Sequence, residues 1–181
     1  WESMRTHPVS GARIVSHTQR VDRSAAVIVL EHHMAFDGAG YPERTPPKRQ
    51  HVMSRIVAVA DAYDAMTSRR SYSGARPPVD AMRRIVSRSG TAFDPVLVRL
   101  FVEMLGVYPP RSVVRLTDGR TAIVVRPGEA EPLRPVVRLV AESDGTLMEA
   151  DALLDLAAAG APAIARHLQP AGLNIDVDDY L

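Results

Sequence analysis

From Ser24 to Tyr41 the chain reads SAAVIVLEHHMAFDGAGY, an apolar run that ends in two adjacent histidines and opens into a glycine-rich loop. The spacing of the apolar residues predicts a helix over Ser24 to His33, with Asp22 placed to cap its start. Neighbouring residues on a helix point about 100° apart, so His32 and His33 cannot easily grip one metal ion together. They can each face a different ion of a two-metal site, or one can ligate while the other bonds to a substrate. The competing reading is a helix C-terminus, where the dipole favours histidine.

Outward from this stretch, helical spacing continues. A helix is expected from about His51 to Thr67, with Val52, Ile56, Val59, Tyr63 and Met66 as its inward stripe. Pro77 and Pro78 open a third, through Ala81, Ile85 and Val86, which Gly90 ends. Asp94 as N-cap and Pro95 at the first helical position open a fourth, running to Leu105. The loop between the first two, Ala35 to Gln50, is about 16 residues long and rich in Gly and Pro; a loop of that length in a compact domain is usually functional. Asp61 sits in the otherwise apolar run RIVAVADAYDAM, with Asp64 on the same face three residues on. A carboxylate in a buried stripe is costly unless it is paired or coordinates a cation, so Asp61 is either a metal ligand or half of a buried ion pair with an arginine. His7, before Pro8 in RTHPVSGARIV, fits a ligand or a helix-boundary residue. Together His7, His32, His33 and Asp61 make a nitrogen and oxygen donor set suited to Fe, Mn or Zn. Gly38 and Gly40 would let backbone amides approach a phosphate, Tyr41 offers a ring and a hydroxyl, and Arg70 could meet a phosphate in the same mouth.

After Gly106 to Pro110 the period changes. Ser112 to Thr117, Asp118-Gly119 and Arg120 to Arg126 predict a hairpin with a two-residue turn. Pro135 to Ala141 is a third strand, Leu153 to Ala159 a helical turn, Ile164 to Leu168 an edge strand, and Asn174 to Leu181 a tail. The expected fold is mainly α with a β-rich C-terminal part: residues 1–107 helical, residues 108–181 a small β module.

Composition narrows the function. Hydrophobic residues at 46% and charged residues at 24% describe a folded domain, and a formal net charge of +1 argues against a nucleic-acid polymer as partner. Cys 0 excludes thiolate metal sites and disulfides. No apolar run approaches the 18 or so residues that cross a bilayer, so a cytoplasmic protein with no membrane partner is expected. Lys48 is the single lysine; every other basic side chain is an arginine, able to fork onto a carboxylate or phosphate.

In order along the chain, THPVSGARIV, HH-x3-DGAGYP, SRIVAVADAYDAMTSRRSY and GTAFDP resemble the HD-GYP family of bacterial, metal-dependent phosphodiesterases that hydrolyse cyclic di-GMP. The likeness runs from Trp1 to about Gly106. It implies an HD-type helical bundle, with His7, His32, His33 and Asp61 as metal ligands and Fe or Mn in a two- or three-metal site. It implies Gly40 and Tyr41 as the loop pair that contacts the dinucleotide and Arg70 as a phosphate or guanine contact. The family's adjacent His-Asp pair, and the lysine that follows it, are not found in these residues, and Ser73 stands where a basic residue often follows the RxY tyrosine. The chain is therefore read as the C-terminal part of a longer phosphodiesterase, lacking its N-terminal helices, with an incomplete metal cage and no catalysis of its own. The alternative is a non-catalytic module that senses cyclic di-GMP or docks a protein. A diguanylate cyclase, an upstream sensor domain and a second copy of the chain are the expected partners. The stretch from Tyr108 to Leu181 is similar to a β-rich extension that often follows such domains.

Overall fold

The computed structural model describes residues 2–43, 49–68, 75–129, 131–148, 152–169, 173 and 175–180. Among these, five α-helices precede five strands: α1 (Glu2–His17), α2 (Arg23–Glu31), α3 (Val52–Thr67), α4 (Pro78–Ser87), α5 (Pro95–Leu105), then β1 (Val113–Leu116), β2 (Thr121–Arg126), β3 (Val136–Ala141), β4 (Leu153–Asp155) and β5 (Ile164–Leu168). Packing divides the chain into two compact units, Trp1–Ala65 with Arg84–Arg99, and Met66–Arg83 with Leu100–Leu181.

In the first unit local chemistry sets the helix starts. The Asp22 side chain accepts the Ser24 amide at 2.7 Å, and Asp94 accepts that of Val96 at 3.0 Å, each satisfying an orphan donor of a first turn. Pro8 does not break α1; it lies inside the helix and is fully buried. At Gly11, one turn beyond His7, a Cβ would stand 3.0 Å from Val29 Cγ1, so the missing side chain is what lets α1 lie close against α2. The inward stripe expected of α3 is corrected. Ser54, Ala58 and Val59 are buried, whereas Val52 and Ile56 are exposed. The helix is apolar nearly all round, so periodicity does not choose its face. A polar partner for Ser54, described below, does.

The second unit holds one antiparallel sheet in the order β4-β3-β2-β1-β5. Alternation along the strands sends Val114, Leu116, Val124, Val137 and Leu139 to one face with Leu156, and Val113, Ile123 and Val140 to the other. The second face is covered by the tail: Leu173, Ile175, Val177 and Tyr180 pack on it, and Arg111 pairs with Asp178 at 2.6 Å. The β1–β2 turn is longer than the two residues expected. Gly119 bonds back to the Leu116 carbonyl, and Gly119 alone of the turn has positive φ, +90°. A two-residue type I′ turn needs positive φ at both central residues, so Thr117 joins Asp118 and Gly119 in a three-residue loop closed by glycine. The helical turn expected over Leu153 to Ala159 is also corrected. Leu153–Asp155 pairs with Val136–Arg138 as an edge strand, too short for alternation to be visible, and only the residues after it turn.

Side-chain hydrogen bonds from Arg120 hold the Asp118 carboxyl below its ordinary range. A carboxylate with a depressed folded value stabilises the fold above its unfolded value and loses that contribution as pH falls through the folded one. Asp118→Asn is therefore expected to lower stability modestly at neutral pH, leave it unchanged well below about pH 4, and so flatten the acid limb of the stability curve, as read by thermal melts from acid to neutral buffer.

Candidate metal centre

Three histidines from α1 and the end of α2 converge. One ring nitrogen each of His7, His32 and His33 lies within 4.8 Å of the others. The ring centroids are 5.2 Å apart for His7 and His32, 4.9 Å for His7 and His33, and 4.1 Å for His32 and His33. All three side chains are half-buried. His32 is the C-cap of α2, and its ring Nδ1 lies 2.7 Å from the Val29 carbonyl. A carbonyl only accepts, so Nδ1 carries the hydrogen, and in the neutral ring Nε2 presents a lone pair. That lone pair faces His7 Nε2 at 3.2 Å. Two imidazole nitrogens so close must be bridged by the His7 hydrogen or by a cation. A backbone acceptor that orients the far nitrogen of a ligating histidine is the usual outer support of a metal site. The donor set and its outer support thus fit a divalent transition metal.

The loop after the histidines is built onto them. Gly40 has φ +88° and bridges to Met34, and the Tyr41 amide donates to the His33 carbonyl at 3.2 Å. The Tyr41 ring then lies 4.8 Å from His33, with the Arg5 guanidinium 5.5 Å over it. Burial, and secondarily the Asp61 carboxylate, push the Tyr41 hydroxyl above its ordinary value, while Arg5 pulls the other way. The phenol keeps its proton at neutral pH and stays a donor. The turn is braced from behind: the Phe36 and Asp37 amides donate to the Ala92 and Thr91 carbonyls, both at 3.0 Å. Arg55 on α3 reaches Asp94 at 3.0 Å and lies over the Phe36 ring.

Of the residues singled out from sequence, His7, His32, His33, Gly40 and Tyr41 come together. Asp61 is half-buried on α3 within electrostatic reach of Tyr41, but its carboxylate is not among the atoms that cluster within 4.8 Å. Asp64 is exposed. Arg70 and Ser73 lie outside the described residues. Sequence reading passed over Glu31 and Arg5. Glu31 carried the same signal as Asp61, an acid at the end of an apolar run.

A family model described as HD domain matches residues 2–97, just over half of the chain. The chain belongs to the HD domain family. A second model, a KOW domain associated with HD domain, matches residues 113–175. The HD domain and the sheet that follows account for the mainly α fold with a β-rich C-terminal part. Among relatives, a cyclic di-GMP phosphodiesterase of Pseudomonas aeruginosa is 33% identical over 157 residues, 87% of this chain and 38% of the relative. One of Thermotoga maritima is 38% identical over 105 residues, 58% of this chain and 28% of the relative. The cyclic di-GMP phosphodiesterase response regulator RpfG of Xanthomonas campestris is 38% identical over 93 residues, 51% of this chain and 25% of the relative. The matched part of this HD domain chain thus spans between about a quarter and two-fifths of the length of these relatives.

Proposed function

We propose that this chain is the C-terminal part of an HD-GYP-type, metal-dependent phosphodiesterase acting on cyclic di-GMP, with residues 1–107 as its helical domain and residues 108–181 as its β extension. The observation that carries the reading is the convergence of three imidazoles, one with its tautomer set by Val29, beside a buried-edged tyrosine ring. His7, His32 and His33 would hold Fe or Mn, and Asp61 would contribute to a neighbouring ion. Bound there, such a cation supplies Lewis-acid relief of negative charge on a phosphodiester. The residues of the chain do the rest. Tyr41 stacks on a base and donates its hydroxyl, Arg5 holds a guanidinium at the same ring, and Gly40 keeps the turn tight enough to present them. No helix among the described residues is long and apolar enough to cross a membrane, which supports a cytoplasmic setting. Partners in this reading are cyclic di-GMP itself, a diguanylate cyclase or sensor domain, and a second copy of the chain.

The experiment is calorimetry of cyclic di-GMP against the Mn²⁺-loaded chain, with product analysis by chromatography. Binding is expected, and Tyr41→Ala should weaken it by roughly 1–3 kcal/mol, the usual loss for a base-stacking aromatic, with metal content unchanged. No binding by the loaded wild type would sink the reading. Binding without turnover is expected of this chain under either reading; cyclic di-GMP binding that is undiminished without Mn²⁺ would favour the second, a sensing or docking module.

A further inference from the structure

Glu31 is 1% exposed and is the last residue of α2, directly before His32. An ionised or neutral carboxyl in that position needs partners, and it has them on another helix. Its Oε2 accepts the backbone amide of His51 at 2.7 Å and the hydroxyl of Ser54, itself fully buried, at 3.0 Å. Its backbone carbonyl accepts the side-chain amide of buried Gln50 at 2.9 Å and the Met34 amide at 2.8 Å. The first group of bonds grips the start of α3, and the Met34 bond closes the turn that carries His32 and His33.

The chemistry is that of a capping box supplied from outside the helix. His51 is the residue before α3; its carbonyl accepts from Arg55 and its ring Nδ1 accepts from the Met53 amide. In an ordinary capping box the acid three residues on reaches back to the amide of the cap. Here that position is Ser54, which cannot, and Glu31 reaches the His51 amide in its place. A negative group at that end also suits the helix dipole.

The consequence lies further along α3. Ser54, Ala58 and Asp61 recur at i, i+4 and i+7 and so share one face, with Ser54 and Ala58 buried. Asp61 stands about 10 Å along the axis from Ser54. Slipping α3 by one residue would rotate that face by about 100° and carry Asp61 away. We infer that Glu31 is a positioning residue that locks the rotation of α3 against the end of α2, and thereby sets where the Asp61 carboxylate stands relative to His32 and His33. The inference rests on the metal reading above and goes beyond it, since Glu31 itself contacts no ion in this role.

A double-mutant cycle on the whole chain tests it, with Mn²⁺ alone as the titrant. Glu31→Gln should lower Mn²⁺ affinity several-fold, short of the roughly 10- to 100-fold cost of losing a group bonded directly to a ligand, because Glu31 acts through the placement of α3. In an Asp61→Asn background the same change should cost almost nothing, because the group it places is already gone. Loaded with Co²⁺, the Glu31→Gln and Asp61→Asn chains should show the same change in visible spectrum, which general destabilisation would not produce. Ser54→Ala, which removes one hydrogen bond and leaves the acid in place, should move affinity in the same direction by less, and serves if Glu31→Gln does not fold. Unchanged affinity in Glu31→Gln or Ser54→Ala, or an equal loss in both backgrounds, overturns the inference while leaving the metal site standing. If the wild-type chain takes up no Mn²⁺, or His32→Ala binds it equally well, the metal reading falls and takes this inference with it.

Discussion

His32→Ala is expected to strip the chain of bound transition metal, as read by elemental analysis after purification and by Mn²⁺ titration. The ring is held by the Val29 carbonyl at 2.7 Å, so its Nε2 lone pair is aimed at the cluster before any ion arrives. Removing it deletes one of three converging donors and also the group that faces His7 at 3.2 Å. Loss of an outer support alone costs about 10–100-fold in metal affinity, so loss of the ligand itself should exceed about 100-fold. His7→Ala should behave alike, because its nitrogen shares the same space. His17→Ala is the control: that exposed ring bonds to the Arg13 carbonyl on its own helix and has no place in the cluster. Metal content that is the same in wild type, His32→Ala and His7→Ala would remove the ligand assignment.

What could be read in advance, and what could not, divides along the range of the forces involved. Asp22, Asp94 and Pro95 act on their own first turns, so the starts of α2 and α5 were legible from a few residues. The strands β1, β2 and β3 were legible because apolar runs bounded by turn residues are a local signal. The face of α3 was not. Val52 and Ile56 are as apolar as Val59, and only the Glu31 carboxylate, about twenty residues away in the chain, explains why Ser54 is the one inside. β4 failed for the same reason: three residues carry no period, and their strand character comes from pairing with β3. The site shows the same division. The histidines were found as types in a pattern, whereas the meeting of His7 with His32 and the packing of Arg5 over Tyr41 exist only once α1 lies on α2.

The loop offers a sharper contrast between conformation and space. Gly38 and Gly40 both have positive φ, +91° and +88°. A Cβ on Gly38 would meet nothing within 4 Å, so Gly38→Ala should cost only the left-handed backbone, about 1–2 kcal/mol. A Cβ on Gly40 would stand 2.4 Å from the His33 carbonyl oxygen, 2.9 Å from the Ala35 nitrogen and 3.1 Å from Met34 Cα. All three are backbone atoms of the turn that carries His33, and none can swing aside as a side chain would. Gly40→Ala must therefore open the loop, lose the Tyr41 amide bond to the His33 carbonyl and move both rings. Adding about 1 kcal/mol for that hydrogen bond, and the strain of relieving the contact, gives a cost of roughly 3–4 kcal/mol if the loop stays folded. A loop that gives way locally would save part of that cost and lose function instead. The two outcomes are separable: thermal unfolding reads the first, and Mn²⁺ uptake with cyclic di-GMP binding reads the second. In either case Gly40→Ala should be the far worse variant by one measure, with Gly38→Ala close to wild type in metal content. Equal behaviour of the two would mean that the His33 carbonyl does not brace the loop, and that Tyr41 reaches its place beside the histidines by some other support.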